Sequence, residues 1–286
     1  MKSNERVDMS DRTCMITGAN SGIGKATAMA LAGMGADLVL VCRDPGRGET
    51  AVADISRQPG AGNVDLLIAD LGSQEQIRRV AAEFLATQRP LHVLINNAGL
   101  ILTDRTESED GIEATFAINH LGPFLLTELL LDRLKQSAPA RVVTVSSVAH
   151  RFSDIDFDDI NYTKKYRGMQ AYGRSKLANI LFTRELARRL EGTEVTANAA
   201  HPGPVASNFG HNNSGIMAAL VKVTAPFMRS TAKGAETSIY LATSPEVDGV
   251  TGQYFANSRQ KQPSKAAMND ADAERLWDIS REMTSA

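Results

Sequence analysis

Cysteine, tryptophan and any excess of one charge are scarce in this 286-residue chain, and each scarcity closes off a class of function. The 2 cysteines, Cys14 and Cys42, both sit inside apolar runs and are too few for a disulfide framework, so reduced core thiols in a cytoplasmic protein are expected. The 31 lysines and arginines are balanced by 33 aspartates and glutamates, for a net charge of -2, without the basic excess of a nucleic-acid surface. The 5 histidines are scattered and show no metal-ligand spacing, so no metal site is expected. The opening MKSNERVDMSDR lacks the apolar core of a secretory signal. No apolar run approaches the ~20 residues that cross a bilayer, so no membrane span is expected. What the chain does have is 43% hydrophobic residues, enough for a buried core.

Short β-branched apolar runs alternate with longer segments of helical spacing. Strands are expected at residues 13–17, 37–42, 64–69, 91–96, 141–146 and 194–199, with a seventh short one at 252–255. Helical patterns fill 22–34, 73–87 and 173–190 among others. This alternation implies βαβ units: an α/β fold with a parallel sheet and helices on both faces. No repeat or linker divides the chain, so residues 1–286 are expected to form a single domain, led by a flexible stretch at 1–11. Two segments break the rhythm. The polar, aromatic stretch 151–170 reads as an inserted loop, and 207–230 as a substrate lid, since long loops in compact domains are usually functional.

The first strand runs into Gly18-Ala19-Asn20-Ser21-Gly22-Ile23-Gly24 and then a helix. Glycines between a strand and a helix permit a tight turn and close approach of backbone to a pyrophosphate, and the helix N-terminus offers free N–H groups to the anion. The spacing reads Thr-Gly-x-x-x-Gly-x-Gly rather than GxGxxG.

In that variant, TGANSGIGKATA, and in Asn96-Asn97-Ala98-Gly99 at the end of the fourth strand, the chain resembles the short-chain dehydrogenase/reductase superfamily over nearly its whole length. Within it, VCRD at 41–44, FAINHLGPFLLT at 116–127, FDDIN at 157–161 and LWDIS at 276–280 are similar to the retinol dehydrogenase-like group. The resemblance implies a Rossmann-type doubly wound parallel sheet of about seven strands. It further implies a dinucleotide held by Gly18, Asn20, Ser21, Gly22, Ile23 and Gly24. Asn97 would line the adenine–ribose region, with Ala98 and Gly99 as backbone spacers beside the cofactor.

The second strand should end beside the adenosine ribose, where NAD-specific enzymes carry an acid. Here the aligned position is Cys42, followed by Arg43, whose guanidinium can hold a 2′-phosphate by charge-assisted hydrogen bonds; Lys25 could add to it. NADP(H) is therefore expected over NAD(H). Two other readings stay open: Asp44 restores an NAD(H) preference if the alignment slips by two, or Arg43 is only a solvated loop charge. Asp70 matches the family aspartate at the adenine amino group, with Leu71 packed nearby, or else it caps the following helix.

Alcohol–carbonyl interconversion needs a hydride carrier and a group that handles one proton. Tyrosine, with an ordinary pKa of ~10, needs help near neutrality, and an ammonium beside it favours the phenolate. Residues four apart share a helix face, so Tyr172-x-x-x-Lys176 brings the two together. The other 4 tyrosines have no lysine four residues on. The pair falls at the start of the expected helix, whose dipole also favours phenolate, and where the superfamily has its catalytic motif. By resemblance Lys176 also holds the nicotinamide ribose, and Ser147, the second serine of VVTVSS, holds the substrate oxygen. Asn119 holds a water linking Lys176 to solvent, or kinks its helix ahead of Pro123. Pro202, Gly203, Val205 and Ser207 cover the nicotinamide. Leu100, Ile101 and Val148 are candidate substrate contacts.

The expected activity is an NADP(H)-dependent interconversion of a lipophilic alcohol and its aldehyde or ketone, with Tyr172 as acid/base. The alternative is a non-catalytic dinucleotide-binding sensor or scaffold on the same fold; such proteins often lose the tyrosine, lysine or serine. The family resemblance also implies a homodimer or homotetramer joined through the helices that carry Asn119 and Tyr172.

Overall fold

The computed structural model describes residues 7–203 and 230–285. Eight strands form a single sheet in the order β3-β2-β1-β4-β5-β6-β7-β8. They are β1 (Thr13–Thr17), β2 (Asp37–Cys42), β3 (Val64–Ile68), β4 (Val93–Asn96), β5 (Ala140–Val145), β6 (Val195–His201), β7 (Tyr254–Ala256) and β8 (Arg259–Lys261). The first seven pair in parallel. The eighth strand, absent from the sequence expectation, turns back antiparallel on β7. Its RQK sequence carries no apolar signal because all 3 residues are exposed at the sheet edge. Asn257 and Ser258 at left-handed φ of 55° and 54° close that hairpin in two residues, the backbone that matches strand twist.

Alternate residues of each strand face opposite layers. On β1, Cys14 and Ile16 join Ala28 and Leu31 of α1 (Gly22–Ala32), Ile55 of α2 (Pro45–Ser56) and Leu241 of the later helix Thr231–Thr243. Met15 faces the other way, toward Phe84 of α3 (Gln74–Ala86), Phe124 and Leu130 of α4 (Ala114–Gln136), and Phe182 of α5 (Gly168–Arg189). Helices thus cover both faces. Thr231–Thr243 is α6, and α7 (Asp270–Met283) lies across α4 and α5. There Trp277 packs against Phe124 at 4.9 Å and Phe182 at 5.9 Å between ring centroids. It thereby covers part of the two helices expected to join copies of the chain.

Among the described residues, α4 is long and apolar enough to cross a membrane, which the count of consecutive apolar residues did not register. The fold accounts for that composition, since 78% of its most apolar window is buried between the sheet and α3, α5 and α7. One turn of α4, Ala117–Leu121, is a π turn. Pro123 has no N–H to give the Asn119 carbonyl four residues earlier, and the backbone widens just ahead of it.

The inserted stretch 151–170 is tied to neighbouring elements by hydrogen bonds. Asn161 accepts from the Glu113 N–H at 2.6 Å, and Tyr162 donates to Gln170 at 2.9 Å beneath the Arg174 guanidinium. Inside the lead expected to be flexible, Met9 is buried and its N–H bonds the Met34 carbonyl at 2.8 Å. Residues 1–6 lie outside the described residues.

Candidate active site

The strand order reverses between β1 and β4, and the carboxyl ends of the strands there open onto a cleft of about 680 Å³. Gly18, Asn20, Ser21, Gly22, Ile23 and Gly24 line one end. Gly18 takes φ +66° and Gly22 +57°, a left-handed backbone in which a side chain is strained. A Cβ on Gly24 would sit 2.4 Å from the Gly18 carbonyl oxygen and 2.5 Å from the Asn97 amide nitrogen. The cradle is thus closed behind and bare in front. Ser21 precedes α1 without its side chain capping the helix, which leaves first-turn N–H groups for an anion. These residues fit a dinucleotide pyrophosphate.

The far side of the cradle is built from β4. The Thr17 hydroxyl accepts from both the Asn97 and Ala98 N–H groups at 3.0 Å, and the Asn97 amide donates to the Thr17 carbonyl at 2.8 Å. Asn97 therefore fastens β4 to β1 while its outer surface lines the cleft beside Ala98 and Gly99. Thr17 stands in the sequence as the first residue of the Thr-Gly-x-x-x-Gly-x-Gly pattern, which by itself assigns its hydroxyl no role.

At the ribose end, Cys42 is buried and accepts backbone N–H groups of Ala19 and Asn20; burial pushes its thiol up to about 11. Arg43 lines the cleft with its side chain 65% exposed, 3.7 Å from the Asp70 carboxylate. Asp44 also borders the cleft, but its carboxylate accepts the Arg47 N–H at 2.8 Å as the cap of α2. Arg47 lines the same wall and was missed in the sequence, although its place in the first turn of α2 follows from that cap. Lys25 is not part of the cleft wall and is paired with Asp54 at 2.6 Å. Asp70 accepts the Gly72 N–H at 2.8 Å in the turn ahead of α3, whose N-cap is Ser73, and it borders the cleft together with Leu71.

At the other end stand Ser147, Tyr172 and Lys176. Ser147 lies two residues past β5 and Tyr172 comes from α5, and their side chains are hydrogen-bonded. Ser146 points the opposite way, donating to the Lys176 carbonyl at 2.7 Å, so strand alternation separates the two serines as expected. Helix α5 begins at Gly168, earlier than the expected 173, and the backbone there passes Leu102 so closely that a Cβ would lie 2.0 Å from its carbonyl oxygen. Tyr172 consequently sits in the second turn, where the helix dipole has faded.

Burial pushes the Tyr172 phenol up to about 12, against the opposing hydrogen bond to Ser147. Burial also drives the Lys176 ammonium down to about 8. Its Nζ lies 5.6 Å from the Tyr172 ring centroid and donates to the Val145 carbonyl at 3.1 Å. Desolvation thus outweighs the charge pairing expected from sequence, and the phenol is held protonated.

Asn119 lies on the π turn of α4. Its carboxamide accepts the Leu100 N–H and donates to the Leu100 carbonyl, both at 2.8 Å, and donates to Ser175 at 3.0 Å. Both amide protons are taken up, so the side chain acts as a clip on the loop after β4. Gly99 allows the approach: a Cβ there would be 3.2 Å from both the Asn119 oxygen and the Lys176 Nζ. Pro202 and Gly203 complete the wall, while Val205 and Ser207, with most of the 207–230 stretch, lie outside the described residues. Among the described residues no cluster of histidine, cysteine and acids is arranged to hold a metal ion.

Residues 12–215 match the family model for short chain dehydrogenase. Human retinol dehydrogenase 14 is 46% identical, the match covering 96% of this chain and 87% of that protein. Retinol dehydrogenase 12 of Mus musculus is also 46% identical, over 97% of this chain and 87% of the relative. Among solved structures, an uncharacterised protein from Mycobacterium paratuberculosis superposes with a TM-score of 0.80 at 34% identity, covering 99% of this chain and 96% of that one. The Pseudomonas aeruginosa RhlG/NADP active-site complex gives 0.71 at 25% identity, covering 93% of this chain and 100% of that one. With its glycine cradle at the switch point of the sheet and its Ser147–Tyr172–Lys176 cluster, the chain belongs to the short-chain dehydrogenase/reductase family, is retinol dehydrogenase-like within it, and is an alcohol–carbonyl oxidoreductase.

Proposed function

We propose that the enzyme is NADP(H)-dependent and interconverts a lipophilic alcohol with its aldehyde or ketone, with Tyr172 as the acid. The observation that carries this reading is the hydrogen-bonded Ser147–Tyr172 pair beside buried Lys176, at the end of a cleft whose other end is a phosphate cradle. A bound NADPH supplies the hydride for the carbonyl carbon. Ser147 holds the carbonyl oxygen and steadies the charge that develops on it. Tyr172, kept neutral by burial, donates the proton to that oxygen. Lys176 favours the phenolate left behind, and its own lowered pKa of about 8 suits it to return a proton. Asn119 keeps Leu100 and Ser175 in register around them.

Apolar side chains at the mouth support a lipophilic substrate. Leu100 and Ile101 line the cleft, and Val148, Phe152 and Met169 are exposed around Ser147 and the start of α5. The names of the retinol dehydrogenase relatives make all-trans-retinal a first probe, with nonanal as a simpler aldehyde. Assaying both with NADPH and NADH tests the reading; turnover of neither overturns it.

The NADP(H) preference rests on the absence of an acid at Cys42, the capping duty of Asp44, and the cations Arg43 and Arg47 at the ribose end. A charged hydrogen bond contributes about 1.5–3 kcal/mol. Arg43→Glu is therefore expected to raise KM for NADPH by roughly 10- to 100-fold and to leave KM for NADH nearly unchanged. Equal effects on both dinucleotides would remove the assignment of Arg43.

A further inference from the structure

Tyr254 of β7 is buried between two histidine rings. His150 stands edge-on at 5.1 Å between centroids, and His201 is stacked at 6.5 Å with a 10° interplanar angle. Each histidine lies close in sequence to a residue that lines the cleft. His201 ends β6 just before Pro202 and Gly203, and its Nδ1 faces the Gly203 N–H at 3.4 Å. His150 lies three residues past Ser147, on the 3-10 turn Val148–Phe152, and is wholly buried.

The bonding of His150 is specific. Its Nε2 lies 3.1 Å from the Ser264 N–H, a partner that can only donate. A neutral imidazole that accepts at Nε2 carries its proton at Nδ1. Nδ1 lies 2.6 Å from the Ser147 carbonyl oxygen and so donates to it. The same carbonyl accepts the His150 backbone N–H at 3.2 Å. Two donors from one residue thus fix the peptide plane that leaves Ser147. Arg151 adds a further tie, donating to the Gln262 carbonyl at 2.5 Å.

Holding that plane holds the Cα–Cβ bond of Ser147, and with it the direction of a hydroxyl that must meet both Tyr172 and a substrate oxygen. Misplacement of a catalytic group by about 1 Å costs on the order of 10²-fold in rate. We propose that His150 is a positioning residue for Ser147, anchored from behind by Ser264 and Tyr254, so that the segment after β8 sets the geometry of the active site. This rests on Ser147 holding the substrate oxygen as proposed above.

Three substitutions separate the two ends of the ring. The amide nitrogen of asparagine occupies the place of Nδ1, so His150→Asn keeps the donation to Ser147. The side-chain oxygen of glutamine occupies the place of Nε2, so His150→Gln keeps only the bond from Ser264; His150→Phe keeps neither. With all-trans-retinal or nonanal and NADPH, His150→Gln and His150→Phe are expected to lower kcat by about 10- to 100-fold with KM for NADPH unchanged. His150→Asn is expected to stay within about threefold of the wild type, the rescue that a merely structural role would not produce. Histidine 15N spectra of the wild type should show the Nδ1–H tautomer for His150. If His150→Phe fails to fold, the asparagine–glutamine contrast decides.

Ser147→Ala is run alongside. If it loses turnover while His150→Gln keeps the wild-type kcat, the positioning role is overturned and the reading of Ser147 stands. An Nε2–H tautomer, or asparagine falling as far as glutamine, likewise overturns it. A Ser147→Ala variant that keeps turnover overturns the parent reading and the proposal with it.

Discussion

Tyr172→Phe is expected to reduce turnover of an aldehyde by roughly 10²- to 10⁴-fold, the usual contribution of a positioned general acid, with dinucleotide affinity unchanged. Loss of one hydroxyl removes the proton donor and leaves the ring in place. The phenol is half-buried, and burial pushes its pKa up to about 12, which favours the protonated form near neutrality. A group so poised gives its proton only as negative charge builds on an oxygen bonded to it, which is when Ser147 and Lys176 act. The measurement is kcat with NADPH beside the dissociation constant for NADPH from fluorescence titration. Loss of both together would mean that the tyrosine serves the cradle rather than the chemistry, and retained kcat would remove it from the mechanism.

Gly24→Val should abolish dinucleotide binding in the accessible concentration range. A Cβ at this position lies 2.4 Å from the Gly18 carbonyl oxygen, inside any real contact distance, and the neighbour is backbone rather than a side chain that can swing aside. The turn must open, and Gly18 and Gly22 lose the left-handed backbone that shapes the cradle. Overpacking of this kind costs about 1–3 kcal/mol in stability, so the variant is expected to melt lower yet remain folded. Titration of NADPH into the folded variant checks it. Affinity within threefold of the wild type, which is about 0.6 kcal/mol, would show that the cradle is not where the pyrophosphate rests.

Much of this fold was readable because short continuous apolar runs and turn glycines are local signals. β1 and β2 lie where the apolar runs place them, and the remaining expected strands differ by one or two residues at one or both ends. β8 was not readable, since an exposed edge strand of arginine, glutamine and lysine has no buried face to advertise it. The start of α5 escaped for a different reason: Gly168 is needed by the approach of Leu102, from a distant part of the chain. Long-range partners explain the other differences. Lys25 could not be known to pair with Asp54, nor Asn119 to clip Leu100, nor the ammonium of Lys176 to be buried enough to lose the contest with desolvation. The site residues themselves were legible through motif spacing, whereas the roles of Thr17, Arg47 and His150 came only from their neighbours in space.

The central claim is that this cleft moves a hydride between NADP(H) and a lipophilic carbonyl. Its most direct test is reduction of nonanal and all-trans-retinal with NADPH carrying deuterium on one face of nicotinamide C4, each face in turn, followed by mass spectrometry of the alcohol. The account predicts one deuterium on the carbinol carbon from one face and none from the other, at a rate that Tyr172→Phe suppresses. Alcohol formed without deuterium from either face, or no alcohol from either aldehyde, would contradict it.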